Sequence, residues 1–228
     1  MTGSTALWAM PAGLECAPWV DRWSSLLDED ERARAAGFVF PLHRRAFVAG
    51  HALVRVMLGR VLNRPPESLR FERDEKGRPE LAGLDGPSFS LSHTDRVVAC
   101  AVSDSGVVGV DVEGDGGRVD IHGIAERFFA PGEAQAVRDR GAGAFTRIWT
   151  LKEAFLKATG EGLRRPLDSF QFSLDPVALE KGGAGEAWSF AQMRLSATHW
   201  AAVALRGAPQ PARPLNLAYR ACRPEELL

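Results

Sequence analysis

Asp168-Ser169-Phe170-Gln171-Phe172 restates Glu67-Ser68-Leu69-Arg70-Phe71, and in each case a proline stands just upstream. Pro66 and Pro166 lie 100 positions apart, and Phe71 and Phe172 lie 101 apart. Further on, Leu195-Ser196-Ala197-Thr198-His199-Trp200 and the apolar run to Ala204 repeat Leu91-Ser92-His93-Thr94 and the apolar strand behind it, 104 positions from Leu91 to Leu195. Matches in the same order at nearly one offset imply an internal duplication. The alternative is accidental likeness among short apolar strands.

Helical segments precede both copies. Between Arg44 and Leu62, Phe47, Leu53, Val54, Met57, Leu58 and Val61 recur at helical spacing, with Pro65-Pro66 beyond the end. Phe145 to Thr159 reads as a second helix stopped by Gly160. After the first helix, Ser68 to Phe71 is strand-like and Lys76-Gly77-Arg78-Pro79 is a turn. Ser88 to Val102 reads as paired strands around a polar turn at His93-Thr94-Asp95. The expectation is an α+β fold of two similar lobes, residues 1–106 and 107–228. Each is a small, mostly antiparallel sheet packed with a long helix, and the site lies in the cleft between them. Loops are expected at 114–117 and 181–185, and an extended Pro-rich segment at 207–214.

The 228 residues are 45% hydrophobic and 25% charged with a net charge of −1, so no bulk charge favours nucleic acid or an anionic membrane. Cys16, Cys100 and Cys222 form no metal-binding spacing, which suits a reducing, cytoplasmic setting. Neither a signal peptide nor a membrane-spanning run is read from the sequence.

The chemistry concentrates in a few stretches. In Gly109-Val110-Asp111-Val112-Glu113, strand alternation puts Asp111 and Glu113 on one face. Two such carboxylates suit a hard cation such as Mg²⁺, or form the solvated face of an edge strand. Trp149, Glu153 and Lys157 share one helix face. Glu153 and Lys157 are either an exposed ion pair worth about 0.3–0.5 kcal/mol or a third metal ligand with a phosphate-facing lysine, Lys152 beside it. Ser92 and His93 are good phosphate donors or structural turn residues. Arg34, Arg44, Arg45 and Arg55 surround the first helix as solvated charges or as a clamp for a monophosphate. Glu133, after Phe128-Phe129-Ala130-Pro131-Gly132, falls in a first helical turn, where the helix dipole favours an acid.

As an ordered set, Ser90-Leu91-Ser92-His93, Gly109 to Glu113, Arg127 to Glu133, Trp149 to Leu163 and Pro166 to Phe170 closely resemble the 4′-phosphopantetheinyl transferase superfamily, and within it the surfactin-synthetase-activating (Sfp-type) group. The likeness runs from about Glu31 to Leu205. It implies a monomer of two similar lobes. Its implied reaction moves 4′-phosphopantetheine from coenzyme A to a serine of an apo acyl or peptidyl carrier protein, releasing 3′,5′-ADP. Carried over by position, Asp111, Glu113 and Glu153 are implied Mg²⁺ ligands. Glu153 and Lys157 are the implied catalytic groups. Arg44, Arg45, Ser92, His93, Lys152, Lys157 and Asp111 are implied contacts of the coenzyme, and Glu133 an acid beside the metal. One upstream basic position of the family is here Glu31 or Arg32, and Arg34 fits the next.

Overall fold

The computed structural model describes residues 4–115, 119–183, 185–207 and 215–228. Residues 116–117 of the loop expected at 114–117, residue 184 of the loop expected at 181–185, and residues 208–214 of the Pro-rich segment expected at 207–214 lie outside the described residues.

The first lobe opens with strand β1 (Thr5–Pro11), the short helices α1 (Val20–Ser24) and α2 (Glu29–Ala36), and the long helix α3 (Pro41–Leu62). Two hairpins follow, β2 (Phe71–Arg73) with β3 (Pro79–Leu81) and β4 (Ser88–His93) with β5 (Val97–Ser103). The second lobe starts with β6 (Val107–Gly114), inserts α4 (Ile121–Phe128) and α5 (Pro131–Arg140), and then repeats the plan. Its long helix is α6 (Ala142–Thr159), and its hairpins are β7 (Gln171–Leu174) with β8 (Val177–Lys181) and β9 (Trp188–Ser196) with β10 (His199–Arg206). A final strand, β11 (Leu217–Ala221), closes the chain.

The repeat legible in the sequence is thus a repeat of topology. Sheet order β1-β5-β4 in the first lobe corresponds to β6-β10-β9 in the second. Local chemistry sets the helix ends. Pro41 opens α3, whose missing amide costs nothing in a first turn. Asp28 and Glu31 form a reciprocal capping box on α2. Gly160, at φ 71°, ends α6 in the left-handed conformation that a residue with a Cβ resists. The helices begin slightly earlier than periodicity alone placed them, at Pro41 and Ala142, because the first turn carries no apolar stripe.

The layers run α3, first sheet, second sheet, α6. Val98, Cys100 and Val102 of β5 face α3, while Ala99 and Ala101 face the opposite sheet. In the second lobe Ala202 and Ala204 of β10 face α6, while Ala201, Val203 and Leu205 join Val108, Val110 and Val112 between the sheets. Side-chain alternation therefore builds three cores from two sheets. Gly109 sits where β6 meets α6 so closely that a Cβ would run into the Ala154 carbonyl.

One expectation fails. A second lobe extending to residue 228 would keep the C-terminal strand, but β11 runs parallel to β1, pairing Thr5 with Leu217 and Ala9 with Ala221. Cys222 and Leu227 are buried in the first lobe's core. The tail crosses over because β1 is an open edge of the first sheet, whose amides and carbonyls need partners.

Candidate active site

Strand β6 and helix α6 carry the carboxylates. Alternation aims Val110 and Val112 between the sheets and leaves Asp111 and Glu113 on the α6 side. Asp111 is 4% exposed. Its Oδ1 accepts hydrogen bonds from Ser92 Oγ at 2.8 Å and Lys157 Nζ at 2.8 Å. Its Oδ2 is buried with no hydrogen-bond partner among the described residues.

The three acids feel one another. Burial first, and then the Asp111 charge, push Glu113 up to about 7, with Glu153 adding to the rise and Lys157 opposing it. Burial and Asp111 likewise raise Glu153, again against Lys157. Oxygen-only donors, an orphaned buried carboxylate oxygen and mutual repulsion together fit a hard divalent cation. As the side chains stand, no three His, Cys, Asp or Glu among the described residues are gathered closely enough to form a ready ligand set. Instead the ammonium of Lys157 neutralises Asp111.

The remaining expected site residues divide. His93, at the end of β4, is exposed. Desolvation of its imidazole, then the charge of Lys157, hold it below its usual value. Glu113, Glu153, Lys157, Asp111, Ser92 and His93 therefore belong to one neighbourhood. Ser92 is not free to meet a phosphate, because its hydroxyl donates to Asp111 and accepts from the Val112 amide. Arg45 is buried and donates from Nε to the Ala12 carbonyl, so it is a structural anchor of the segment before α1. Arg44, 40% exposed, reaches Asp21 of α1 at 3.6 Å.

Lys152 is a correction. It is fully buried, and Nζ donates to Glu133 Oε2 at 2.7 Å, the Leu167 carbonyl at 2.7 Å and the Phe170 carbonyl at 2.8 Å. All three ammonium protons are committed inside the second lobe, so Lys152 does not face a coenzyme. Glu133 is equally buried and accepts from the Ala130 and Phe172 amides, tying α5 to β7 rather than standing beside a metal. Trp149 stacks on Phe145 and packs near Phe129, extending the second core.

A second polar cluster went unassigned in the sequence. Arg55, fully buried in α3, donates to Glu31 Oε2 at 2.7 Å, Asp28 Oδ2 at 2.6 Å and the carbonyls of Pro66 and Leu69. His51 Nδ1 meets Glu31 Oε1 at 2.8 Å, with its ring 4.1 Å from that of Phe47. Burial acts to raise Glu31, but the hydrogen bonds from His51 and Arg55 outweigh it and hold the carboxyl at about 2. The signal was present: Asp28 and Glu31 are three apart at a helix start, and Arg55 interrupts an apolar helix face.

No helix among the described residues is long and apolar enough to cross a membrane. The sequence matches the family model of the 4′-phosphopantetheinyl transferase superfamily over residues 107–204. It matches the model of the 4′-phosphopantetheinyl transferase N-terminal region over residues 16–105. It is 36% identical over 191 residues to 4′-phosphopantetheinyl transferase HetI of Nostoc sp., covering 81% of this chain and 80% of that protein. It is 31% identical over 158 residues to 4′-phosphopantetheinyl transferase Sfp of Bacillus subtilis, covering 68% and 69%. The human L-aminoadipate-semialdehyde dehydrogenase-phosphopantetheinyl transferase is 30% identical over 229 residues, covering 87% and 74%.

Proposed function

The chain belongs to the 4′-phosphopantetheinyl transferase superfamily, and on that premise we propose that coenzyme A is its donor and a serine of an apo acyl or peptidyl carrier protein its acceptor. The carriers would be those of fatty-acid, polyketide or non-ribosomal peptide synthases. The serine hydroxyl attacks the phosphorus next to pantetheine, the bond from that phosphorus to the bridging oxygen breaks, and 3′,5′-ADP leaves. The observation that carries this reading is Asp111, buried with one oxygen unpartnered and electrostatically coupled to Glu113 and Glu153.

Asp111, Glu113 and Glu153 are the proposed holders of Mg²⁺, which when bound supplies Lewis acidity to the pyrophosphate oxygens. Glu153 takes the serine proton. Its carboxyl lies above the ordinary range, which makes it a stronger base than a solvated glutamate. Lys157, about a third exposed, supplies positive charge to the leaving phosphate. His93 is the proposed donor to a phosphate oxygen, and Arg44, the more exposed of the two adjacent arginines, the proposed contact of the 3′-phosphate. Both lobes lie in one chain, so a monomer carries the whole cleft.

Glu153→Gln and Asp111→Ala are each expected to abolish transfer while circular dichroism shows a folded protein. Near-normal transfer by either variant removes the three-carboxylate site.

A further inference from the structure

Ser88, Ser90 and Ser92 alternate along β4 with Phe89 and Leu91, which pack into the first lobe's core. The serines therefore point the other way, toward β6. No backbone ladder joins these strands: β4 pairs with β5 and β6 with β10, so each is an edge of its own sheet. Hydroxyls close the gap instead. Ser88 Oγ accepts the Val108 amide at 3.0 Å, Ser90 Oγ the Val110 amide at 3.1 Å, and Ser92 Oγ the Val112 amide at 3.3 Å. The common step of two makes this a parallel seam in which side-chain oxygens stand in for backbone carbonyls. Val108, Val110 and Val112 are all buried, so without the serines their amides would be left without partners, which is costly away from water.

The third rung differs from the other two. Ser92 Oγ also donates its single proton to Asp111 Oδ1 at 2.8 Å. That oxygen receives Lys157 as well, and Oδ2 is left as the buried acceptor without a partner. Ser92 thus joins a strand of the first lobe to a carboxylate of the second.

We propose that Ser92 is a positioning residue: its bond to Asp111 fixes which carboxylate oxygen is free for the metal, so that the seam between the lobes orients the site. This rests on the reading of Asp111 as a metal ligand. It replaces the expected contact of Ser92 with a phosphate, for which the hydroxyl has no proton left.

Ser90 supplies the control, since Ser90→Ala removes a rung without touching a carboxylate. Mg²⁺ binding to the full chain without coenzyme A is measured by calorimetry for wild type, Ser90→Ala and Ser92→Ala, alongside melting temperature and the KM for coenzyme A. Similar losses of melting temperature are expected in both variants. Ser90→Ala should keep its Mg²⁺ affinity within about twofold, and Ser92→Ala should lose about tenfold or more, the usual effect of removing a group that orients a ligand. Ser92→Cys, of similar shape but a weak donor, takes the place of Ser92→Ala if the latter does not fold, with the same loss expected. The proposal is overturned if Ser92→Ala binds Mg²⁺ like Ser90→Ala, or if its main defect is a raised KM for coenzyme A. A wild-type chain that binds no Mg²⁺ instead removes the reading of Asp111 itself, and this inference with it.

Discussion

Glu31 sits inside the first lobe with His51 on one oxygen and Arg55 on the other. Those contacts hold its carboxyl at about 2, below its ordinary 4.5. A carboxylate depressed by folding stabilises the native state above its unfolded pKa, and that contribution is lost as pH falls through the folded value. The window is therefore about pH 4.5 down to 2, and the amount is on the order of 3 kcal/mol. Urea unfolding at a series of pH values should show a steeper acid loss in wild type than in Glu31→Gln. Parallel acid limbs would contradict the role assigned to this network. The same scale shows what sequence reading confuses. Lys152 and Lys157 are near neighbours in a basic helix, yet five residues along an α-helix is a rotation of about 140°. Only Lys157 shares a face with Glu153, and the structure sends Lys152 into the opposite side of α6.

At the level of elements, α6 is held from behind by the Lys152–Glu133 pair and faces β6 in front. Replacing Lys152 by Met leaves the Glu133 carboxylate buried without its cation, at a cost of about 3–5 kcal/mol. Urea unfolding should record that loss, and Lys152→Met/Glu133→Gln should recover part of it. If Lys152→Met is as stable as wild type and instead loses coenzyme A affinity, the lysine faces the ligand after all. Strand β6 was the most legible element, because alternation alone separates Asp111 and Glu113 from Val110 and Val112. The serine alternation of β4 was equally visible in the sequence. Its meaning was not, since a hydroxyl pointing at another sheet's edge is a tertiary fact with no local signature.

The whole molecule is a duplicated lobe whose copies meet back to back, and the duplication was readable because each copy keeps the same order of helix and hairpins. The closing strand was not readable. Parallel pairing of β11 with β1 joins the two ends of the chain, and no spacing or periodicity near Leu217 announces a partner at Thr5. Nor did sequence show that Arg45 and Lys152 would be buried, because a basic residue in an apolar helix looks alike whether it snorkels to solvent or finds an internal acceptor. At this scale the first lobe brings Ser92 against the second lobe's Asp111, with His93, Glu113, Glu153 and Lys157 in the same neighbourhood. We propose that this neighbourhood transfers phosphopantetheine from coenzyme A with a divalent cation. The test is intact-mass measurement of a panel of apo carrier proteins incubated with the chain, coenzyme A and Mg²⁺. A phosphopantetheine addition is expected on at least one carrier, matched by released 3′,5′-ADP and abolished by EDTA. Carriers left unmodified while coenzyme A stays intact, or an addition undiminished by EDTA, would contradict it.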